Sequence, residues 1–307
     1  MFGVHHIPEG RNWLHMKETA HLVEDNGYDL FTVTDHFMNM ADPEGPNNHP
    51  LEAWTLLAAI AAETKRIRLA TLVSCYGYRR PTVLAKMATT VDIISDGRLI
   101  FGIGAGMHEA EFKGFMGKFP NKSRRVTGLK ETVEIARGMF NNTRFSYTGK
   151  LYKVDNVQNI PQPVQKPIPI MIGGGGEQRT LRYAAKYADI SHFFASDIER
   201  LRYKLGILRR HCERVKTDFD KIVKGTTFRV VLGSEKEIEA KVEKRAKEYN
   251  LPIESIKRRL GAASGKPDMV ADNLKEFIDN GLGLVALVFI DQEDIPLFAE
   301  EVINQLR

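Results

Sequence analysis

The residue pattern predicts an α/β chain folded as a (β/α)8 TIM barrel with an insertion before strand five. Three features of the 307-residue sequence carry that expectation. Short β-branched runs alternate with longer stretches of helical period, the alternation occurs eight times, and residues 143–167 interrupt it with a different period. A doubly wound open sheet obeys the same alternation and is the architectural alternative. The organisation expected is one barrel domain over residues 1–307, a length that α/β barrels routinely reach as a single unit.

The expected strands are Phe2–His5, Leu30–Thr34, Ile67–Val73, Leu99–Ile103, Ile168–Ile172, Ile190–Phe194, Thr227–Leu232 and Leu284–Ile290. Each is a short apolar run of the kind that buries a strand on both faces. The expected helices are Met16–Asn26, Leu51–Thr64, Thr82–Ser95, Arg124–Phe140, Gln178–Tyr187, Ile198–Lys216, Glu235–Tyr249 and Asp268–Asn280. Strands and helices at this spacing imply parallel pairing through right-handed crossovers. Residues 143–167, "TRFSYTGKLYKVDNVQNIPQPVQKP", alternate polar and apolar and then turn Pro-rich, which predicts a β-hairpin insertion. Residues 250–266 form a second insertion without a readable period.

Hydrophobic residues make up 43% and charged residues 27%, ordinary for a globular chain, so disordered and fibrous classes are excluded. The apolar run Leu282–Ile290 is too short to cross a bilayer, and "MFGVHHIPEG" lacks the basic start and apolar centre of a signal peptide. A cytoplasmic protein with no membrane partner is expected. Cys75 and Cys212 stand alone, so neither a disulfide framework nor a zinc cluster is expected. The net charge of +5 is scattered in small basic groups, which read as solvated helix faces rather than a nucleic-acid stripe; an anionic small ligand fits the balance equally well.

In such barrels the chemistry gathers at the C-terminal ends of the strands. Those ends carry His5–His6, Asp35–His36, "SCYGYRRP", "GIGAGMHEAE", the run Gly173–Gly176, His192 and Asp291. Four successive glycines, Gly173, Gly174, Gly175 and Gly176, lead into a helix, so unpaired amides and a positive helix end predict an anion cradle. "GIGAG" at 102–106 fails the dinucleotide spacing; its small residues serve either a flat ring against the strand end or close packing within the barrel. Adjacent residues diverge on a strand, so Asp35 and His36 cannot both face the axis, and no metal is expected from the His5–His6 pair. Glu109 and Glu111 are acid/base candidates, although carboxylates at a helix start also serve the dipole.

Three stretches together carry a family resemblance: "FTVTDHF" (31–37), "ATLVSCYGYRRPTVLAKMATTVDIISDGRLIFGIGAGMHEAEF" (70–112) and "PQPVQKPIPIMIGGGGEQRTLRYAAKYAD" (161–189). The chain resembles the bacterial luciferase-like superfamily, and within it the branch using the deazaflavin coenzyme F-420. The resemblance implies a luciferase-like TIM barrel with a flavin-type ring at the C-terminal rim and a ribityl phosphate in the glycine loop. It further implies that Asp35 and His36 contact the ring, that a non-prolyl cis peptide at Thr71–Leu72 forms a bulge behind it, and that Ser74 and Gly106 line it. Gly173–Gly176 would then hold the phosphate. The chain departs from relatives that carry a Trp after "GAG" or soon after "DHF", having Met107–His108 and Met40 there, which puts sugar-phosphate oxidation in doubt.

The activity implied is an F-420-dependent oxidoreductase that moves a hydride between the deazaflavin C5 and a small organic substrate, with His36 or Glu109 handling the proton. One rival is an FMN-dependent luciferase-like monooxygenase; another is a non-catalytic flavin-binding protein on the same fold. A homodimer is implied by the resemblance. The substrate-determining loops expected are 38–50, 143–167 and 250–266.

Overall fold

The computed structural model describes residues 1–40 and 48–307. The stretch 41–47 of the expected 38–50 loop lies outside the described residues. In chain order the strands are β1 (Phe2–His6), β2 (Leu30–Val33), β3 (Arg68–Thr71), β4 (Ser74–Cys75), β5 (Leu99–Gly104), β6 (Arg144–Thr148), β7 (Lys153–Gln158), β8 (Ile170–Gly173), β9 (Ile190–His192), β10 (Val223–Leu232), β11 (Leu260–Gly265) and β12 (Leu284–Phe289). The helices that matter here are α1 (Trp13–Asp25), α2 (Ala53–Glu63), α3 (Pro81–Ile94), α4 (Glu109–Met116), α5 (Lys122–Asn141), α6 (Thr180–Tyr187), α7 (Ile198–Val215), α8 (Glu235–Tyr249), α9 (Ile253–Lys257) and α10 (Pro267–Asp279).

Eight parallel strands close in the order β1-β2-β3-β5-β8-β9-β10-β12, with β12 returning to β1. This is the predicted (β/α)8 barrel, and the open-sheet alternative falls. Alternation along each strand builds two apolar layers. Leu30, Ala70, Leu72, Ile100, Met171, Ile190, Leu284 and Ala286 fill the barrel interior. Their neighbours, such as Phe31, Leu69, Phe101, Ile172 and Leu287, pack outward against the helices.

The hairpin expected within 143–167 is present as antiparallel β6 and β7. Its turn is held by one buried carboxylate of α5: Glu131 accepts from the amides of Lys150, Leu151 and Tyr152 at 2.7, 2.9 and 3.0 Å. The second insertion resolves into α9 and β11, and β11 pairs with the upper half of β10 where the short β9 has ended. "LGAASG" is too poor in β-branched residues to announce a strand. The seventh barrel strand begins at Val223 rather than Thr227, because its first residues pair with β9 and β12 at once.

The third strand departs most from the expected run of Ile67–Val73. Regular pairing stops at Thr71 and resumes at Ser74, with a bulge between. The non-prolyl cis peptide expected at Thr71–Leu72 lies one link later, at Leu72–Val73. A buried chain of hydrogen bonds braces the bulge: Trp54 Nε1 donates to Ser74 Oγ (2.8 Å), Ser74 Oγ to Thr71 Oγ1 (3.1 Å), and Thr71 Oγ1 to the Gly102 carbonyl (2.9 Å). Val73 then wedges between two cross-strand partners, Gly104 and Gly173. A Cβ on Gly104 would stand 2.7 Å from a Val73 methyl, and one on Gly173 2.8 Å from both methyls. A Cβ on Gly102 would collide with the Thr71 carbonyl. The small residues of "GIGAG" therefore answer to close packing against the bulge.

The Gly104→Ala variant is expected to lose about 1–3 kcal/mol through overpacking against Val73. Combined with Val73→Ala, the loss should fall well short of the sum of the two single effects in urea unfolding, since they share one contact. Strict additivity would show that Val73 does not fill the space the two glycines leave.

Candidate active site

The polar residues collect at the C-terminal rim, in two carboxylate-centred clusters. The first is centred on Asp35, just past β2. Its carboxylate is buried and accepts a forked pair of bonds from Arg79, at 2.7 and 3.0 Å. The same guanidinium also donates to Glu52. Burial pushes the Asp35 carboxyl up, against the pull of Arg79. A side chain so enclosed and doubly bonded positions the rim; its carboxylate is already committed.

The second cluster holds His36. Its Nδ1 lies 2.9 Å from Glu111 Oε2, and the other carboxylate oxygen, Oε1, accepts from the amides of Phe37 and Met38 at 2.7 and 3.0 Å. Tyr78 donates its hydroxyl to Oε2 as well. Glu111 has no exposed side-chain surface. Burial would raise its carboxyl, but His36, Tyr78 and the Met38 amide together bring it down to about 2. An ionised Glu111 requires a donor on the facing nitrogen, so His36 carries a proton on Nδ1 and turns Nε2 to the mouth. Its side chain is 19% exposed, and among the described residues Nε2 has no hydrogen-bond partner. As expected, Asp35 and His36 diverge.

Glu109, nominated for proton handling, is corrected by the structure. It sits on the outer face of α4, its side chain 56% exposed and paired with Lys113 at 2.7 Å. Glu111, two residues on, is the one that turns inward. Positions two apart lie about 200° around a helix, so "EAE" must send its two carboxylates to different faces. Thr71 and Ser74 are fully buried, with their hydroxyls spent on the bulge rather than lining the mouth. Leu72 points into the barrel interior. Gly106 has φ +70°, and a Cβ there would strike Cys75 Sγ and the Phe112 ring.

The four glycines divide in role. Gly173 accommodates Val73 as described. Gly174, at φ +126°, spends its amide on the His192 carbonyl (2.8 Å). The amides of Gly175 and Gly176 donate to no acceptor among the described residues. A Cβ on Gly176 would crowd Thr180 Oγ1 at 2.8 Å. Beneath the run, the buried Lys204 of α7 donates to the Gly175 carbonyl (2.8 Å) and to Glu177 (2.7 Å), so it holds the loop from behind. Two unspent amides ahead of α6, in a loop where Gly174 has a positive φ and Gly176 has no room for a Cβ, suit a phosphate. The buried Thr34 Oγ1 at the end of β2 is a further polar atom without a hydrogen-bond partner among the described residues.

Inside the mouth, His5 Nδ1 meets Thr32 Oγ1 at 2.8 Å, and His192 Nε2 meets Thr227 Oγ1 at 2.9 Å. Burial lowers them to about 3 and about 4, so both are neutral near pH 7. His6 points the other way and stacks on His15 and Phe31. Among the described residues no metal-binding cluster forms.

Comparison with known proteins places the chain in a family. The family model described as luciferase-like monooxygenase matches residues 2–283, and the chain belongs to that family. An F420-dependent glucose-6-phosphate dehydrogenase of Nocardia farcinica is 28% identical over 86% of this chain and 84% of its own length. Two solved structures share the fold over essentially their whole length. One is an F420-dependent secondary alcohol dehydrogenase in complex with an F420-acetone adduct (TM-score 0.86, 19% identity, 100% of this chain and 99% of that one). The other is the coenzyme F420 dependent tetrahydromethanopterin reductase of Methanopyrus kandleri (TM-score 0.81, 20% identity, 100% and 99%).

The Glu111 carboxyl gives a pH prediction. Its folded value lies below its ordinary 4.5, so the stability it contributes is complete above that value and is lost as pH falls from 4.5 through about 2. A shift of this size corresponds to on the order of 3 kcal/mol. Urea unfolding from pH 6 to pH 2.5 should show a shallower acid loss in Glu111→Gln than in the parent chain; parallel curves would mean that the carboxylate is not held ionised.

Proposed function

We propose that this member of the luciferase-like monooxygenase family is an oxidoreductase dependent on coenzyme F-420, acting on a small organic alcohol or carbonyl compound. The observation that carries the reading is His36, whose Nδ1 is tied to an ionised, buried carboxylate while Nε2 is left for a substrate. The names of the full-length relatives support the choice of cofactor.

The residues present fit such a group. Gly175 and Gly176 supply unspent amides for its phosphate, and the Val73 bulge closes the wall beside them. When bound, the deazaflavin supplies a carbon that accepts or returns a hydride. The chain's own part is to place the substrate and to move one proton. His36 takes it at Nε2 when an alcohol is oxidised and returns it when a carbonyl is reduced. Glu111 keeps the imidazole in the productive tautomer and stabilises the imidazolium once formed. The neutral His5 and His192 orient without charging. A cytoplasmic location and a homodimer belong to the same reading.

Titrating the purified protein with F-420 and with FMN, followed by fluorescence, tests the cofactor. Saturable F-420 binding without FMN binding is expected, whereas the reverse result would favour the monooxygenase reading. His36→Ala should lower turnover about 10²–10⁴-fold with F-420 affinity kept. Unchanged turnover would remove His36 from the proton path.

A further inference from the structure

The wall of the mouth formed by β10, β12 and β1 carries an excess of cations that nothing so far explains. A cavity of about 230 Å³ opens there, lined by His5, Arg11, His15, Arg245, Glu248 and Val288 among others. Arg229 belongs to the same wall. Its Cα partner on β12 is Val288, and its strand neighbours Phe228 and Val230 pack outward into the helix layer, so Arg229 shares the inward face with Thr227. His5 and Arg245, both lining the cavity, act on it electrostatically.

Several enclosed cations elsewhere in the protein are compensated. Arg79 is forked onto Asp35, Lys204 is paired with Glu177, and Arg98 donates to the carbonyls of Ala61, Thr64, Ile67 and Ser95. In the cavity region each lysine likewise has its own acid: Lys241 with Asp294 at 2.5 Å and Lys244 with Asp291 at 3.3 Å. The arginines do not. Glu248 is shared by Arg11 at 3.1 Å and Arg245 at 3.8 Å, while Arg229 and Arg259 have no carboxylate within ion-pair distance among the described residues. Two guanidinium groups thus divide one carboxylate, and two more have none. Burial, with Arg259 and Arg245 beside it, brings Arg229 down to about 10, as befits a cation without a counter-charge. Enclosing an unpaired guanidinium is costly, and a fork of N–H donors matches an oxyanion.

We propose that Arg229, with Arg245 and Arg259, forms a recognition site for an oxyanion, a carboxylate or phosphate, borne by the substrate. Only the attribution to the substrate rests on the oxidoreductase reading; the oxyanion site itself does not. The site lies two strands around the barrel from the glycine run, so a cofactor phosphate at Gly175–Gly176 and a substrate anion at Arg229 occupy different parts of the rim. The substrate class implied is an acidic hydroxy or oxo compound, anchored by its charged end.

Calorimetric titration with inorganic phosphate and with malonate, on protein saturated with F-420, tests this. Saturable binding of at least one anion is expected, weakened tenfold or more by Arg229→Gln and about threefold or more by the exposed Arg259→Gln, with F-420 affinity unchanged within twofold in both. Because Arg229→Gln removes an unpaired charge, its urea midpoint should equal or exceed the parent's. Anion binding that neither variant alters, or no saturable binding at all, overturns the proposal. So does a loss of F-420 affinity in Arg229→Gln matching the loss of anion affinity, which would give the cations to the cofactor. Should F-420 fail to bind, the same anion titrations on the protein alone still read the Arg229 dependence, so the two readings fail separately.

Discussion

The wedging of Val73 between Gly104 and Gly173 is the contact on which the architecture of the rim depends. A regular β3 would run flush with β5 and leave the mouth round. With the bulge, three strands in succession are committed to a single steric arrangement: the Thr71 carbonyl against Gly102, the Val73 methyls against Gly104 and Gly173, and β4 resumed against Ile103 and Gly104. Interiors are packed too tightly to accept an added methyl group at such points. The hydrogen-bond chain from Trp54 through Ser74 and Thr71 ties this arrangement to α2, so the shape of the mouth is set by the helix layer as well as by the strands.

A second device recurs at three loops, one of them at the rim. A buried carboxylate collects backbone amides that no ladder can reach. Glu111 takes those of Phe37 and Met38, Glu131 those of the hairpin turn, and Glu24 those of Lys65, Arg66 and Ile67 ahead of β3. Each carboxylate offers several acceptor sites, so one side chain satisfies a whole turn of orphaned donors. At Glu111 the same oxygens that anchor the loop also hold the histidine that follows β2. Fold and site share one group there, and the loop cannot shift without moving His36.

Much of this was readable in the residues, and the failures have physical causes. Alternation located all eight barrel strands and the hairpin, because burial on both faces leaves long apolar runs and a solvated hairpin does not. β11 went unnoticed because "LGAASG" pairs through backbone alone. The pattern alone makes the glycine run one cradle, yet among the described residues only the amides of Gly175 and Gly176 lack an acceptor; Gly173 serves packing that depends on Val73, a residue a hundred positions away in sequence. The choice of Glu109 over Glu111 turned on which face of a short helix meets the mouth, and that is decided by the tertiary placement of α4 against the loop after β2. Tyr78 and Arg79 stood in plain view in "YGYRRP", but their partners are 33 and 44 residues distant, a relation no local pattern carries.

Taken around the rim, the polar groups fall into an order with a chemical sense. His5 and His192 are hydrogen-bonded to threonine hydroxyls and withdrawn from solvent inside the mouth, which keeps them uncharged. His36 differs in being bonded to a carboxylate, and an imidazole needs such a partner to accept a proton in an enclosed site at low cost. The ends of β5 and β8 carry glycines packed on Val73, leaving a wall with two unspent amides at its edge. The ends of β10 and β12 instead face arginines in excess. In the proposed reading a planar, phosphate-bearing group takes the first sector and an anion the second, with His36 after β2 between them. On that reading the proton is handled after β2 and the substrate's charge after β10, three strands apart around the barrel, so each task falls to a different strand end.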